Sequence, residues 1–160
     1  MKTIYTIGED KKTLIAERSF TAPLEKVWAA WTDSDLLEKW WAPAPWMART
    51  KSFEFKEGGA WHYYMEGPEG EKHWCLNSYL IITPLASFTA VDSFCDEDGK
   101  VNEDLPTSHW EVQFDEEGDT VKIIVTTTYA SEKDLGVVTD MGMKEGFNQG
   151  LDQLEALLAG

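Results

Sequence analysis

The sequence predicts an α+β fold, an antiparallel sheet covered on one face by a long C-terminal helix. Three observations carry this. Residues 50–130 run strand after strand with short turns between them, the pattern of an antiparallel meander. Residues 131–160 hold the only long stretch of unbroken helical periodicity, with Met143, Phe147, Leu151, Leu154 and Leu158 recurring every three or four positions. At about 100° per residue these side chains fall in one stripe roughly 80° wide, opposite Lys144, Glu145, Asn148, Asp152 and Glu155. Finally, a strand and two short helices precede the meander. A one-faced sheet and a one-faced helix must each bury that face, so the two are expected to meet.

Each element has its own grounds. Residues 1–12 mix polar and apolar side chains and read as a frayed or edge segment. Thr13–Phe20 reads as a strand with Leu14, Ala16, Arg18 and Phe20 on one face. Thr21 is then a candidate N-cap and Pro23 suits a first turn, where its missing N–H is not needed. Leu24, Val27, Trp28 and Trp31 follow at helical spacing. Asp33 or Ser34 can cap a second short helix whose apolar side is Leu36, Leu37, Trp40 and Trp41, and the prolines of residues 42–45 end it.

Residues 50–55 alternate as a strand, and Gly58 and Gly59 turn the chain. Ala60–Glu66 sets Trp61, Tyr63 and Met65 on one face and His62, Tyr64 and Glu66 on the other. Gly67-Pro-Glu-Gly70 is a strong turn signal. Residues 71–83 form a longer strand ending at Pro84, and the chain returns from Leu85 or Ser87 to Phe94. A turn over residues 96–99 and a polar loop over 100–107 lead to a strand with Trp110, Val112 and Phe114 together. After a hairpin at 116–119, Thr120–Tyr129 is the most β-branched strand. The closing helix, over 140–158, would reach about 28 Å at 1.5 Å per residue. Gly146 and Gly150 lie on one edge of its apolar stripe. Each costs about 1 kcal/mol against alanine, which points either to close backbone approach or to room left for a ligand.

At 160 residues one domain, 1–160, is expected, with enough chain for a real core. A net charge of −15 argues against nucleic acid and anionic membrane as partners. No signal peptide or membrane-length apolar run is seen, so a reducing, cytoplasmic setting is expected, with Cys75 and Cys95 as free thiols. Eight tryptophans imply a very aromatic core or an aromatic-lined pocket.

Catalytic machinery is not visible. His73 and Cys75 would share a strand face as two metal ligands can, but zinc needs three or four and no second cluster is spaced to help, so no metal and no cofactor are expected. His62 and His109 alternate outwards, as do Glu66 and Glu111. The glycines at 142, 146 and 150 lie in a helix with no preceding strand and form no dinucleotide fingerprint. The aromatics are the stronger signal. Trp61, Tyr63, Met65, Trp74, Phe88, Phe94 and Trp110 on the strands, facing Met143, Phe147 and Gly150 on the helix, are candidate cavity residues. The hydroxyls of Tyr63 and Tyr79 could orient a ligand there, and Trp40, Trp41 and Trp46 would flank the mouth.

The motif Pro23-Leu-Glu-Lys-Val-Trp-Ala-Ala-Trp-Thr-Asp-Ser-Asp-Leu-Leu-Glu-Lys-Trp-Trp-Ala-Pro43 resembles the opening of the Hsp90 ATPase activator homologue-like (AHSA1-like) proteins, of the START/Bet v 1-like (SRPBCC) superfamily. Gly58-Gly-Ala-Trp61, Gly67-Pro-Glu-Gly70 and Thr83-Pro84 are similar to the family's middle section, and Gly142-Met-Lys-Glu-Gly-Phe147 with Leu151 and Leu154 to its C-terminal signature. The resemblance spans roughly residues 12–158 and implies the helix-grip fold, a sheet gripping the long helix over a hydrophobic cavity. The family often has tryptophan where Phe147 stands, and arginine in the stretch after Pro84 where this chain has Leu-Ala-Ser. It is functionally mixed, so it implies architecture more than activity.

The function these residues favour is binding of a hydrophobic or aromatic small molecule between sheet and C-terminal helix, by a monomer or homodimer. One alternative is a chaperone-interaction module, as the family name suggests, although an expected single domain leaves no second Hsp90-binding domain. The other is a cyclase- or hydrolase-type enzyme, which requires a titratable residue inside the cavity.

Overall fold

Period-two alternation builds a sheet whose inner face is continuous across its strands. A computed structural model describes residues 3–160; Met1 and Lys2 of the expected edge segment lie outside the described residues. The strands are β1 (Ile4–Ile7), β2 (Thr13–Phe20), β3 (Met47–Phe53), β4 (Ala60–Glu66), β5 (Lys72–Thr83), β6 (Ser87–Phe94), β7 (Ser108–Glu117) and β8 (Thr120–Tyr129). They form one curved antiparallel sheet in the order β1-β2-β8-β7-β6-β5-β4-β3. The chain crosses from β2 to the far edge through α1 (Leu24–Thr32) and α2 (Ser34–Trp40), so the sequence-distant β2 and β8 become neighbours.

Cross-strand register lines up rows of side chains on the inner face. One row runs Tyr63, Cys75, Phe94. The next runs Trp61, Asn77, Asp92, Ser108, Tyr129. A third runs Tyr79, Ala90, Trp110, Thr127, Leu14. The middle row is polar over four successive strands, an unusual content for a face turned to the core.

The helices follow the sequence with two differences. Asp33 caps α2, its side chain accepting from the Asp35 N–H. The α1 N-cap is Pro23 rather than Thr21: Pro23 is extended and its carbonyl accepts the first helical N–H groups, so no side chain is needed. The C-terminal run is also not one helix but two, α3 (Glu132–Asp140) and α4 (Met143–Ala159). The break is Gly142, whose φ of +89 is open to glycine and costly for other residues. No helix among the described residues is long and apolar enough to cross a membrane.

α4 buries Gly150, Leu151, Leu154 and Leu158 against a main core that includes Phe20, Val27, Trp31, Leu37, Trp40 and Trp61. Gln153 Nε2 donates to the carbonyls of Trp40 and Ala42, both at 2.9 Å, while its Oε1 accepts from Ala44 N–H at 2.8 Å. Gln149 Nε2 donates to the Ala44 carbonyl at 2.9 Å. These two amides staple α4 to the backbone that ends α2. From the sheet, the buried Arg18 reaches Asp152 at 2.8 Å and Glu155 at 3.2 Å on α4. A smaller core of Leu14, Tyr129, Leu135 and Val138 forms under α3.

Candidate functional site

Between the main core and the smaller core under α3 lies a cavity of about 260 Å³. Its sheet wall is the inner face of β4 to β8, and its roof is the α3–α4 junction from Val138 to Phe147. Tyr63, Met65, Phe94 and Trp110 meet Met143 and Phe147 across it, and Trp41 and Pro43 close one side. Met141 and His73 line it and are also exposed, so the cavity reaches solvent between the helix junction and the start of β5. Gly146 borders it as well: a Cβ there would meet only Pro43 Cγ, at 3.6 Å.

The polar row crosses the cavity wall. Asp92 is surrounded by protein yet keeps part of its surface free, because that surface faces the cavity. Its carboxyl group makes no hydrogen bond or ion pair with another described residue, and desolvation pushes it from 3.8 up to about 7. Beside it, Ser108 Oγ accepts from Trp110 Nε1 at 2.8 Å. Tyr63 Oη accepts from Trp41 Nε1 at 2.8 Å, and burial raises its hydroxyl well above 10.0. Burial likewise pushes the Cys75 thiol and the Tyr129 hydroxyl up to about 12, so both stay protonated and neutral. The site is therefore a polar strip in an aromatic box, and Asp92 is the one carboxylic acid among its described lining residues.

The candidate residues divide. Tyr63, Met65, Phe94, Trp110, Met143 and Phe147 border the cavity. Trp61, Tyr79 and Phe88 belong to the main core instead: Trp61 stacks on Tyr63 at 3.8 Å, and Phe55 packs between Tyr79 at 4.8 Å and Phe88 at 5.5 Å. Trp74 lies on the outer face. The turn at Gly67–Gly70 pairs Tyr64 with Trp74, so His73 and Cys75 take the inner positions that strand. Gly150 is a close-packing glycine, since a Cβ there would stand 3.2 Å from the Trp40 carbonyl and 3.3 Å from that of Trp41. Of the mouth tryptophans, Trp41 lines the cavity, Trp40 is buried with Nε1 donating to the Ala30 carbonyl, and Trp46 packs on His73 at 5.0 Å.

His62 points outwards as its alternation requires, but it is buried rather than solvated. The loop after β6 covers it, and Nε2 donates to the Asp96 carbonyl at 3.0 Å. His73 and Cys75 do share a face; among the described residues, however, no three potential metal ligands converge. Cys75 faces inwards beside Phe94, which turns Cys95 outwards, and both thiols are free.

Asp92, Ser108 and Tyr129 were not among the candidates. Asp92 had a usable signal: Phe88, Ala90, Asp92 and Phe94 alternate, so grouping Phe88 with Phe94 carries the acid inwards too. Ser108 and Tyr129 had none, because only their pairing across β7 and β8 joins them to Asp92.

A crystal structure of a Mycobacterium smegmatis protein is similar over 98% of this chain and 97% of that one, with 33% identity and a TM-score of 0.89. A solution structure of an Arthrobacter aurescens protein matches at 29% identity, covering 98% of this chain and 91% of that one, with a TM-score of 0.91. The AHSA1 protein of Silicibacter pomeroyi shares the fold at 21% identity, with 92% and 97% of the two chains covered and a TM-score of 0.73. No curated protein matches the chain. The family model described as "Activator of Hsp90 ATPase homolog 1-like protein" matches residues 21–159. With its helix-grip architecture and a match over nearly its whole length, the chain belongs to the activator of Hsp90 ATPase homolog 1-like family.

Proposed function

We propose that this protein binds a small hydrophobic or aromatic molecule in the cavity between the sheet and α4. The observation that carries the reading is the cavity of about 260 Å³ between two cores, walled by aromatic side chains and floored by a few polar groups. Mostly apolar walls with a small number of convergent polar groups are the usual make-up of a ligand pocket. Loss of packing around an unfilled space is costly in a marginally stable domain, and a side chain at Gly146 would have reduced it. Trp41 and Trp110 on the wall supply the assay: lipids, polyphenols and polyketides are titrated against tryptophan fluorescence, and the purified protein is searched for bound molecules by native mass spectrometry. Absence of both a fluorescence response and a bound mass would overturn the reading.

The enzyme alternative requires a titratable group inside the cavity, and Asp92 meets that requirement. No nucleophile or base is hydrogen-bonded to it among the described residues, so binding is the better-supported role. Chemical change in a bound ligand on incubation would reverse that order. The family description also raises a chaperone role; an Hsp90 ATPase assay with purified components that shows no effect would remove it.

A further inference from the structure

We propose that the ligand of this cavity carries a cationic amine, held by the Asp92 carboxylate and by the aromatic faces of Trp41, Trp110 and Phe147. The inference rests on the binding role above and adds the chemical class. Asp92 is an acid on a cavity wall that contains no lysine or arginine, and no described residue neutralises it. An anionic ligand would meet that acid without a compensating cation. A neutral apolar ligand would cover it and leave a buried polar group unpaired, which is costly. An ammonium group resolves both problems through a charge-assisted hydrogen bond.

The aromatic wall has the same preference. Trp41, Trp110 and Phe147 all line the cavity and pack on one another at tilted to edge-on angles, with Trp41 and Trp110 5.9 Å apart, Trp110 and Phe147 5.7 Å, and Trp41 and Phe147 6.3 Å. Ring faces attract organic cations, tryptophan most strongly. The net charge of −15 adds a long-range field that draws cations towards the molecule.

The other groups around Asp92 are Tyr63 on β4, Cys75 on β5, Ser108 on β7 and Tyr129 on β8, with His73 at the rim and Cys95 on the opposite face of the sheet. Burial holds Tyr63, Cys75 and Tyr129 neutral. The helix roof from Val138 to Phe147 contributes no charged lining group. Without ligand the Asp92 carboxyl titrates near neutrality, so an amine must compete with its proton. Amine affinity therefore rises with pH through about 7 and levels off above it.

Calorimetry with naphthylmethylamine and naphthylmethanol, two probes of nearly the same shape, tests this on wild type and on Asp92→Asn. The amine should bind wild type about tenfold tighter or more than the alcohol, and in Asp92→Asn the ratio of the two affinities should fall to near one. In wild type and in His73→Gln, amine affinity should rise between about pH 6 and about pH 8; this arm does not depend on an Asp92 variant folding. Equal binding of amine and alcohol, a preference surviving in Asp92→Asn, or a pH dependence lost with His73 would overturn the amine assignment and leave hydrophobic binding standing. Failure of both probes to bind would remove the binding role and the assignment together.

Discussion

Asp92 stands on the inner face of β6 between Ala90 and Phe94, and burial lifts its carboxyl from 3.8 to about 7. The folded protein holds this proton more tightly than the unfolded chain does. The contribution to stability is therefore fully present below the unfolded value and is lost as pH rises through about 7. At about 1.4 kcal/mol per pH unit, and halved because part of the carboxyl faces the cavity, the loss is about 2 kcal/mol. Asp92→Asn should match wild type near pH 4 and exceed it by about 2 kcal/mol near pH 8 in urea unfolding; a constant difference between the two across pH would refute the assignment. Gly146 and Gly150, one turn apart, divide the two roles that their sequence context left open. Gly146→Leu should project into the cavity and abolish ligand binding with little effect on the melting temperature. Gly150→Leu should drive its side chain into the Trp40 and Trp41 carbonyls and cost about 1–3 kcal/mol or more. Identical behaviour of the two variants would show that the edge of α4 is uniform. Spacing could not separate these glycines, because the separating fact is which backbone lies opposite each.

At the scale of elements, α4 is positioned by side chains as much as by its apolar stripe. The Gln153 amide satisfies two carbonyls and one N–H at the end of α2. Gln153→Ala strips all three; two are part-buried and the Ala44 N–H is exposed, so at about 0.5–1.5 kcal/mol for a typical hydrogen bond the melting temperature should fall. Gln153→Glu should recover only the Ala44 N–H bond. Gly142 is the hinge between α3 and α4. A Cβ there has room, its nearest neighbour being Glu145 Oε2 at 4.0 Å, so the cost of Gly142→Ala is backbone strain of about 1–2 kcal/mol. That loss should appear in chemical unfolding with the helical circular dichroism largely retained. The strands were legible because alternation is a local property: Leu14, Ala16, Arg18 and Phe20 face inwards as their spacing requires. Trp74 shows where such reading stops. Within β5 either face is self-consistent, and only the turn at Gly67–Gly70 sets its partner as Tyr64.

Over the whole molecule, a net charge of −15 on 160 residues means mutual repulsion in the folded state. Raising salt from low to physiological concentration screens that repulsion over about 8–10 Å, so the melting temperature should rise with ionic strength, and amine affinity should fall; a melting temperature insensitive to salt would mean the acidic groups are already locally compensated. The cavity is likewise a property of the whole, lying where the main core under α4 and the smaller core under α3 fail to close on each other. By itself the sequence determined the run of strands from β2 to β8, the two short helices after β2 and the closing helix, but not the separate α3; it also determined the inward side of β2, β4 and β7, and the family, because periodicity and motif order lie within short stretches of chain. Tertiary structure decided which rings fill the core and which border a space. That choice depends on cross-strand register, which sets Asp92, Ser108 and Tyr129 in one row, and on the bend at Gly142, which sets α3 apart from α4 above them.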